Sequence, residues 1–135
     1  MPIPVNDLIH KPFKDGGRGP DDYDCSGLMM EVMRRAGTII PDYGNGISCN
    51  DTKNIHDAIY KAEPEWEPIK KIKQGCLIVL SYSVPGWASH VGVAIGGDSF
   101  IHTRSATGVK VDHISSPAWR KRVMGYYIYK GNVSG

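Results

Sequence analysis

Ser89-His90-Val91-Gly92-Val93-Ala94-Ile95-Gly96-Gly97-Asp98-Ser99-Phe100-Ile101-His102-Thr103 sets two apolar runs of strand length around one turn cluster. Two such runs about a Gly-rich break spell a β-hairpin. Its register follows by counting. A three-residue loop at Gly96-Gly97-Asp98 pairs Ile95 with Ser99, which sets Gly92 opposite His102 and His90 opposite Arg104. Side chains alternate along a strand, so His90 and His102 fall on one face as diagonal neighbours, with Cβ atoms roughly 7 Å apart. A two-residue loop puts the two imidazoles on opposite faces. The parity of this turn therefore decides whether the chain owns a histidine pair. The Gly-Gly-Asp composition admits an odd loop with a glycine in the left-handed region. On the histidine face Gly92 and Ala94 are small and leave room for a helix, while Val91, Val93 and Ile95 on the other face have the character of a core.

Working outward, Cys76 to Tyr82, Val109 to Ile114 and Val123 to Tyr129 are further strand-length apolar runs. Toward the N-terminus the period changes. Leu28, Met29, Val32, Met33 and Ala36 recur at helical spacing from about Ser26 to Ala36, and Gly37 suits the C-terminal cap. Asn50, Asp51 and Thr52 are cap candidates for a second helix with the stripe Ile55, Ala58, Ile59, Ala62, ended by Pro64. Helices first and strands after predict an α+β domain with an antiparallel sheet. At 135 residues the chain makes one domain, 1–135, whose first 14 residues read as irregular.

Cys25 stands where the loop Gly16-Gly17-Arg18-Gly19-Pro20 gives way to the first helix. Unpaired N–H groups at a helix start carry partial positive charge and lower a thiol pKa. A helix laid on the small-residue face brings Cys25 against His90. Thiol, base and a residue that orients the base are the parts of a cysteine nucleophile: Cys25 attacks, His90 acts as base and then acid, and His102 holds the useful tautomer. The N–H of Cys25 is a candidate oxyanion donor. Cys76 opens an apolar run as a small hydrophobe, and Cys49 sits in a polar loop with no role assigned. Thiolate and imidazole suit zinc. With no Cys-x-x-Cys and no fourth ligand in view, neither metal nor cofactor is expected. His10, His56 and His113 have no partners in this scheme.

The net charge of +2 and the short clusters Lys70-Lys71-Ile72-Lys73 and Arg120-Lys121-Arg122 argue for solvated surface and against nucleic acid. No segment is apolar for long enough to span a bilayer, and Met1 to Asp7 lacks the pattern of a secretory signal. The expectation is synthesis in the cytoplasm, with any export by a route the sequence does not display.

Asp24-Cys25-Ser26-Gly27-Leu28, then Ser89-His90-Val91-Gly92-Val93-Ala94-Ile95-Gly96, then Phe100-Ile101-His102, resembles the NlpC/P60 cysteine peptidases in order and spacing, from about Asp15 to Tyr129. The resemblance implies a papain-like α+β fold, with N-terminal helices packed on a C-terminal antiparallel sheet of about five strands. It implies a Cys-His-His triad of Cys25, His90 and His102 that hydrolyses amide bonds in the stem peptides of bacterial cell walls. Tyr23, Asp24 and Ser26 match positions that shape the family's substrate groove. Trp87 and Ser89 flank His90 as further groove candidates, with packing the alternative use of the tryptophan. Two departures are visible: Lys14-Asp15 precede Gly16-Gly17 in place of an aromatic, and Gly75-Cys76-Leu77 replaces Gly-Asp-Leu. The minimal form resembles peptidase domains of phage tails or delivered toxins. The partners expected are thus the wall peptide and a larger delivery or tail assembly, without nucleic acid or membrane. Acyl transfer by the same triad and a structural module with an idle triad are the rival readings.

Overall fold

Asp24 opens the first helix, α1 (Cys25–Arg35), by accepting the Gly27 N–H at 2.7 Å, which satisfies one of the free donors of the first turn. The same helix closes in a Schellman cap. Gly37, at φ +96°, donates to the Arg34 carbonyl, and Thr38 donates to that of Met33. These and all other details come from a computed structural model, which describes residues 3–82 and 86–131. Helix α2 (Thr52–Ala62) is capped by Asp51 through the Asn54 N–H at 3.2 Å. Of its stripe Ile55, Ala58, Ile59 and Ala62, only Ala62 is fully buried.

Among the described residues six strands form one sheet: β1 (Trp66–Ile69), β2 (Leu77–Ser81), β3 (Ala88–Gly96), β4 (Ser99–Arg104), β5 (Gly108–His113) and β6 (Val123–Tyr129). They lie in the order β1-β6-β2-β3-β4-β5, and every pairing is antiparallel. The strand beyond the five expected is β1. It has four residues and holds Pro68, which has no N–H to give a ladder, and it sits on the sheet edge where that lack is tolerated. The segment expected to be irregular holds a 3₁₀ turn at Asn6–Leu8 and buries Ile3, Val5 and Leu8 in the main core. It also covers the other edge. His10 donates to the Val109 carbonyl and Val109 to that of Lys11, both at 2.9 Å, so β5 is not left bare.

The central hairpin has the expected register, reached by a different turn. Val93 pairs with Ile101 and Ala94 with Phe100, as counted, but Gly96 pairs with Ser99. The loop proper is therefore Gly97-Asp98, and a β-bulge between Ala94 and Gly96 supplies the odd residue. One extra residue on one strand restores the parity that a two-residue turn alone would reverse.

Helix α1 does not lie on the small-residue face. Its Leu28, Met29, Val32 and Met33 share a core with Leu77, Val79, Val91, Val93, Ile101 and Val109. The larger of the two hydrophobic clusters is built on the valine face. The other face is already filled: a Cβ at Gly92 would lie 2.8 Å from the Phe100 ring. Phe100 packs there with Ile78, Leu80, Ala94 and Trp119. A second bulge between Leu80 and Ser81 raises the local twist where β3 delivers His90. Among the described residues no helix is long and apolar enough to cross a membrane.

Candidate active site

His90 and His102 meet. Nε2 of His90 lies 2.8 Å from Nδ1 of His102, and Nε2 of His102 lies 2.7 Å from a carboxylate oxygen of Asp112. Both imidazoles are buried. Trp119 stands edge-on to His102 at 4.8 Å and stacks over His90 at 6.1 Å, while Phe100 approaches His102 at 4.6 Å. Burial in this aromatic box, then the neighbouring His102 and Arg104, push the His90 pKa down to about 3. Burial also lowers His102, against the pull of Asp112. Both rings are therefore neutral at rest, and each carries one proton.

The tautomers follow. A carboxylate only accepts, so the His102 proton sits on Nε2 and points at Asp112. Nδ1 of His102 is then an acceptor, and Nε2–H of His90 donates to it. His90 is left with its lone pair on Nδ1, free to take a proton. Asp112 was not among the expected site residues. It stands opposite Phe100 in the β4–β5 register, one diagonal from His102, just as His102 is one diagonal from His90.

Cys25, the first residue of α1, is partly exposed and lines a cavity of about 270 Å³ together with His90. Most of the cavity wall is apolar, with Met29, Ile47, Ile55, Ile59, Trp66 and Tyr127 contributing. The partly buried Ile55, Ala58 and Ile59 of the α2 stripe thus line this space, and Ile59 also packs against the core. The thiol does not have the lowered pKa expected of a helix start. Its hydrogen bond with Cys49, then burial and the charges of Cys49 and Asp24, push it well up, outweighing the Ser26 N–H that favours the thiolate. The same hydrogen bond lowers Cys49. Two thiols that share one hydrogen bond lose the first proton easily and the second with difficulty, so they titrate as a pair.

The remaining expected residues divide. Asp24 is buried and lines the cavity, and its carboxylate also binds Arg18 (2.7 Å) and the Gly16 N–H (3.1 Å). Arg18 reaches on to Asp42 with two bonds of 2.9 Å. Ser26 lines the cavity too. Tyr23 does not. It is buried in the core beneath Gly19, where a Cβ would sit 2.6 Å from its ring, and so packs against the glycine-rich loop. Trp87 stacks on His56 at 5.0 Å, and Ser89 accepts the Tyr82 N–H at 3.0 Å; neither reaches the cavity. His113 bonds Ser99 and Asp98 at the hairpin turn. The metal-ligating types that cluster among the described residues are Asp15, Asp24 and Cys49. Both carboxylates are already engaged, by Arg18 and backbone N–H groups at Asp24 and by Ser48 and the Cys49 N–H at Asp15.

Comparison with known proteins agrees with this architecture. The chain is 29% identical over 118 residues to the probable endopeptidase p60 of Listeria monocytogenes, covering 87% of this chain and 21% of that one. It is 29% identical over 122 residues to the murein DD-endopeptidase MepH of Escherichia coli, covering 87% and 40%. The chain thus spans from about a fifth to two fifths of these curated relatives. A solved NLP/P60 lipoprotein-like structure from Staphylococcus aureus superposes with a TM-score of 0.64 at 22% identity, over 93% of this chain and 38% of that one. The sequence profile of the NlpC/P60 family matches residues 10–127, and this chain belongs to that family.

Proposed function

We propose that the chain is a cysteine-type hydrolase that cleaves amide bonds in the stem peptides of bacterial peptidoglycan. The observation that carries the reading is the hydrogen-bonded series Asp112–His102–His90, which leaves Nδ1 of His90 unprotonated beside a cavity that Cys25 also lines. The names of the relatives supply the substrate class. In the first step Nδ1 of His90 takes the Cys25 proton and the thiolate attacks the amide carbon. The N–H of Cys25 serves as donor to the oxyanion of the tetrahedral intermediate. His90 then protonates the leaving amine. A water that gives its proton to His90 releases the acyl group and restores the thiol. His102 and Asp112 keep the imidazole in one tautomer through both halves. Action at the wall, and membership of a larger delivery or tail assembly, belong to the same proposal.

Replacing Cys25 with Ala is expected to abolish release of new amine groups from purified wall peptides. Undiminished release by that variant overturns the reading. The largely apolar cavity favours a second outcome on the same residues, because a dry acyl-enzyme resists water. Added amine acceptors would then yield transfer products in place of free acid. An idle module yields neither free amine nor transfer product.

A further inference from the structure

Cys49 is held beside the nucleophile by contacts with no part in the proposed hydrolysis. Its N–H donates to Asp15 Oδ1 at 2.8 Å, and the neighbouring Ser48 Oγ donates to the other oxygen of the same carboxylate at 2.6 Å. The next residue, Gly16, donates to Asp24, the cap of α1. Arg18 ties Asp24 to Asp42 at the near end of the loop that carries Cys49. One segment, residues 15–18, thus fastens the loop of Cys49 to the helix start of Cys25. Cys49 Sγ lies within 4.8 Å of a carboxylate oxygen of Asp24, the residue before Cys25, and both partly exposed thiols line the same cavity.

We propose that Cys25 and Cys49 form an oxidative modification site, at which one hydroperoxide converts the two thiols into an intramolecular disulfide. A sulfur of the pair attacks the outer oxygen of the peroxide; the O–O bond breaks and the alcohol leaves with a proton, giving a sulfenic acid. The second sulfur attacks that sulfur, an S–S bond forms, the S–O bond breaks, and water leaves with the remaining thiol proton. Two thiols and one hydroperoxide therefore give one disulfide, one alcohol and one water. A dithiol reductant reverses the step by exchange.

The arrangement suits the chemistry. Thiolate is the attacking form, and the shared hydrogen bond eases removal of the first proton. Without a resolving thiol, a sulfenic acid at Cys25 advances to sulfinic acid, which simple thiols do not reverse. Cys49 is then a guard that diverts damage into a reversible bond. Cys76 lies buried in the second core cluster and takes no part. The link to activity rests on Cys25 as the nucleophile; the disulfide itself does not.

The test is peptide mapping by mass spectrometry under non-reducing conditions after hydrogen peroxide treatment of the whole chain. A linked pair of peptides containing Cys25 and Cys49 is expected, with loss of two hydrogens, reversed by dithiothreitol. In Cys49→Ser the expected product is Cys25 carrying added oxygens that dithiothreitol does not remove. Wall-peptide hydrolysis, scored for each protein against its own untreated sample, should return on reduction in the parent and not in the variant. Absence of the Cys25–Cys49 link in the parent overturns the proposal, as does equal recovery of the variant. If neither protein hydrolyses wall peptide but the link forms, the hydrolase reading fails and the modification site stands.

Discussion

The two halves of the site are built by different rules. The histidine half is sheet: His90, His102 and Asp112 sit on three consecutive strands, each one diagonal from the next, with both imidazoles buried and boxed in by Trp119 and Phe100. The thiol half is loop and helix start: Cys25 is fixed by Asp24, Arg18, Asp15 and the segment around Cys49, most of it at the surface. A sheet sets position through a ladder of backbone bonds that no single side chain controls. A loop sets it through a few side-chain bonds that can be cut one by one. The histidine half should therefore fail chemically when altered, and the thiol half should fail by coming loose.

The largest effect is expected at Asp112. An amide there can donate as well as accept. Asp112→Asn therefore permits the reversed proton order along His102 and His90, which puts the His90 lone pair on the wrong nitrogen. The expectation is a fall in kcat of about 10²-fold with little change in KM, since a misplaced base costs the chemical step. Circular dichroism should be unchanged, and Asp112→Glu should recover part of the rate. An undiminished kcat in the Asn variant would detach the histidine pair from Asp112.

Acid should expose the same half through stability. Burial holds the folded His90 pKa at about 3, below its ordinary 6.5, so below that ordinary value the unfolded chain binds a proton that the folded chain refuses. The contribution of His90 is fully present above the ordinary pKa and is lost as pH falls toward the folded one, by about 1.4 kcal/mol per pH unit. His102 shifts in the same direction and steepens the loss. Urea unfolding at several values between about pH 7 and pH 5 measures the slope, and replacing His90 by Phe should flatten it. A slope unchanged by that variant would place the titrating groups elsewhere.

How much of this was legible in the sequence follows the same division. The His90–His102 diagonal could be counted from the alternation of a strand, although a bulge and a two-residue turn produce the parity that a three-residue turn was expected to give. Asp112 was open to the same arithmetic. Arg104 pairs with Gly108 across the next turn, and counting back sets Phe100 against Asp112. The side of the sheet that α1 takes is not legible from small residues alone, because the room beside Gly92 is filled by the ring of Phe100 from the neighbouring strand. Strand β1 left no alternating pattern, having four residues and a proline. Nothing in the sequence announced Cys49 as a neighbour of Cys25. Their contact depends on where a long loop is fastened, and periodicity carries no such information.

In the thiol half, Arg18→Ala leaves the Asp24 carboxylate buried, with the Gly16 and Gly27 N–H groups as partners. Removing one member of a buried pair is costly. Arg18 is 27% exposed and the N–H bonds persist, so about 2 kcal/mol of stability is the expected loss. Urea denaturation reads it. The imidazole resonances of His90 and His102 should not move, and a shift there would join the two halves that the bonding pattern separates.

Asp15→Ala is the mildest change and the sharpest on the comparison. It removes the acceptor for the Cys49 N–H and the Ser48 hydroxyl, both at an exposed position where water replaces them. The net cost should be about 1 kcal/mol or less. Position should suffer more than stability. With the loop of Cys49 released, the hydrogen bond between the two thiols weakens. Cys25 then loses the partner that raises it most, and the Ser26 N–H that favours the thiolate is opposed by burial and Asp24 alone. Iodoacetamide at mildly acidic pH should therefore label Cys25 faster in Asp15→Ala than in the parent, while Cys49 labels more slowly. The opposite order would mean that Cys49 assists the nucleophile, and the loop bonds would then belong to the catalytic apparatus as fully as the strand diagonals do.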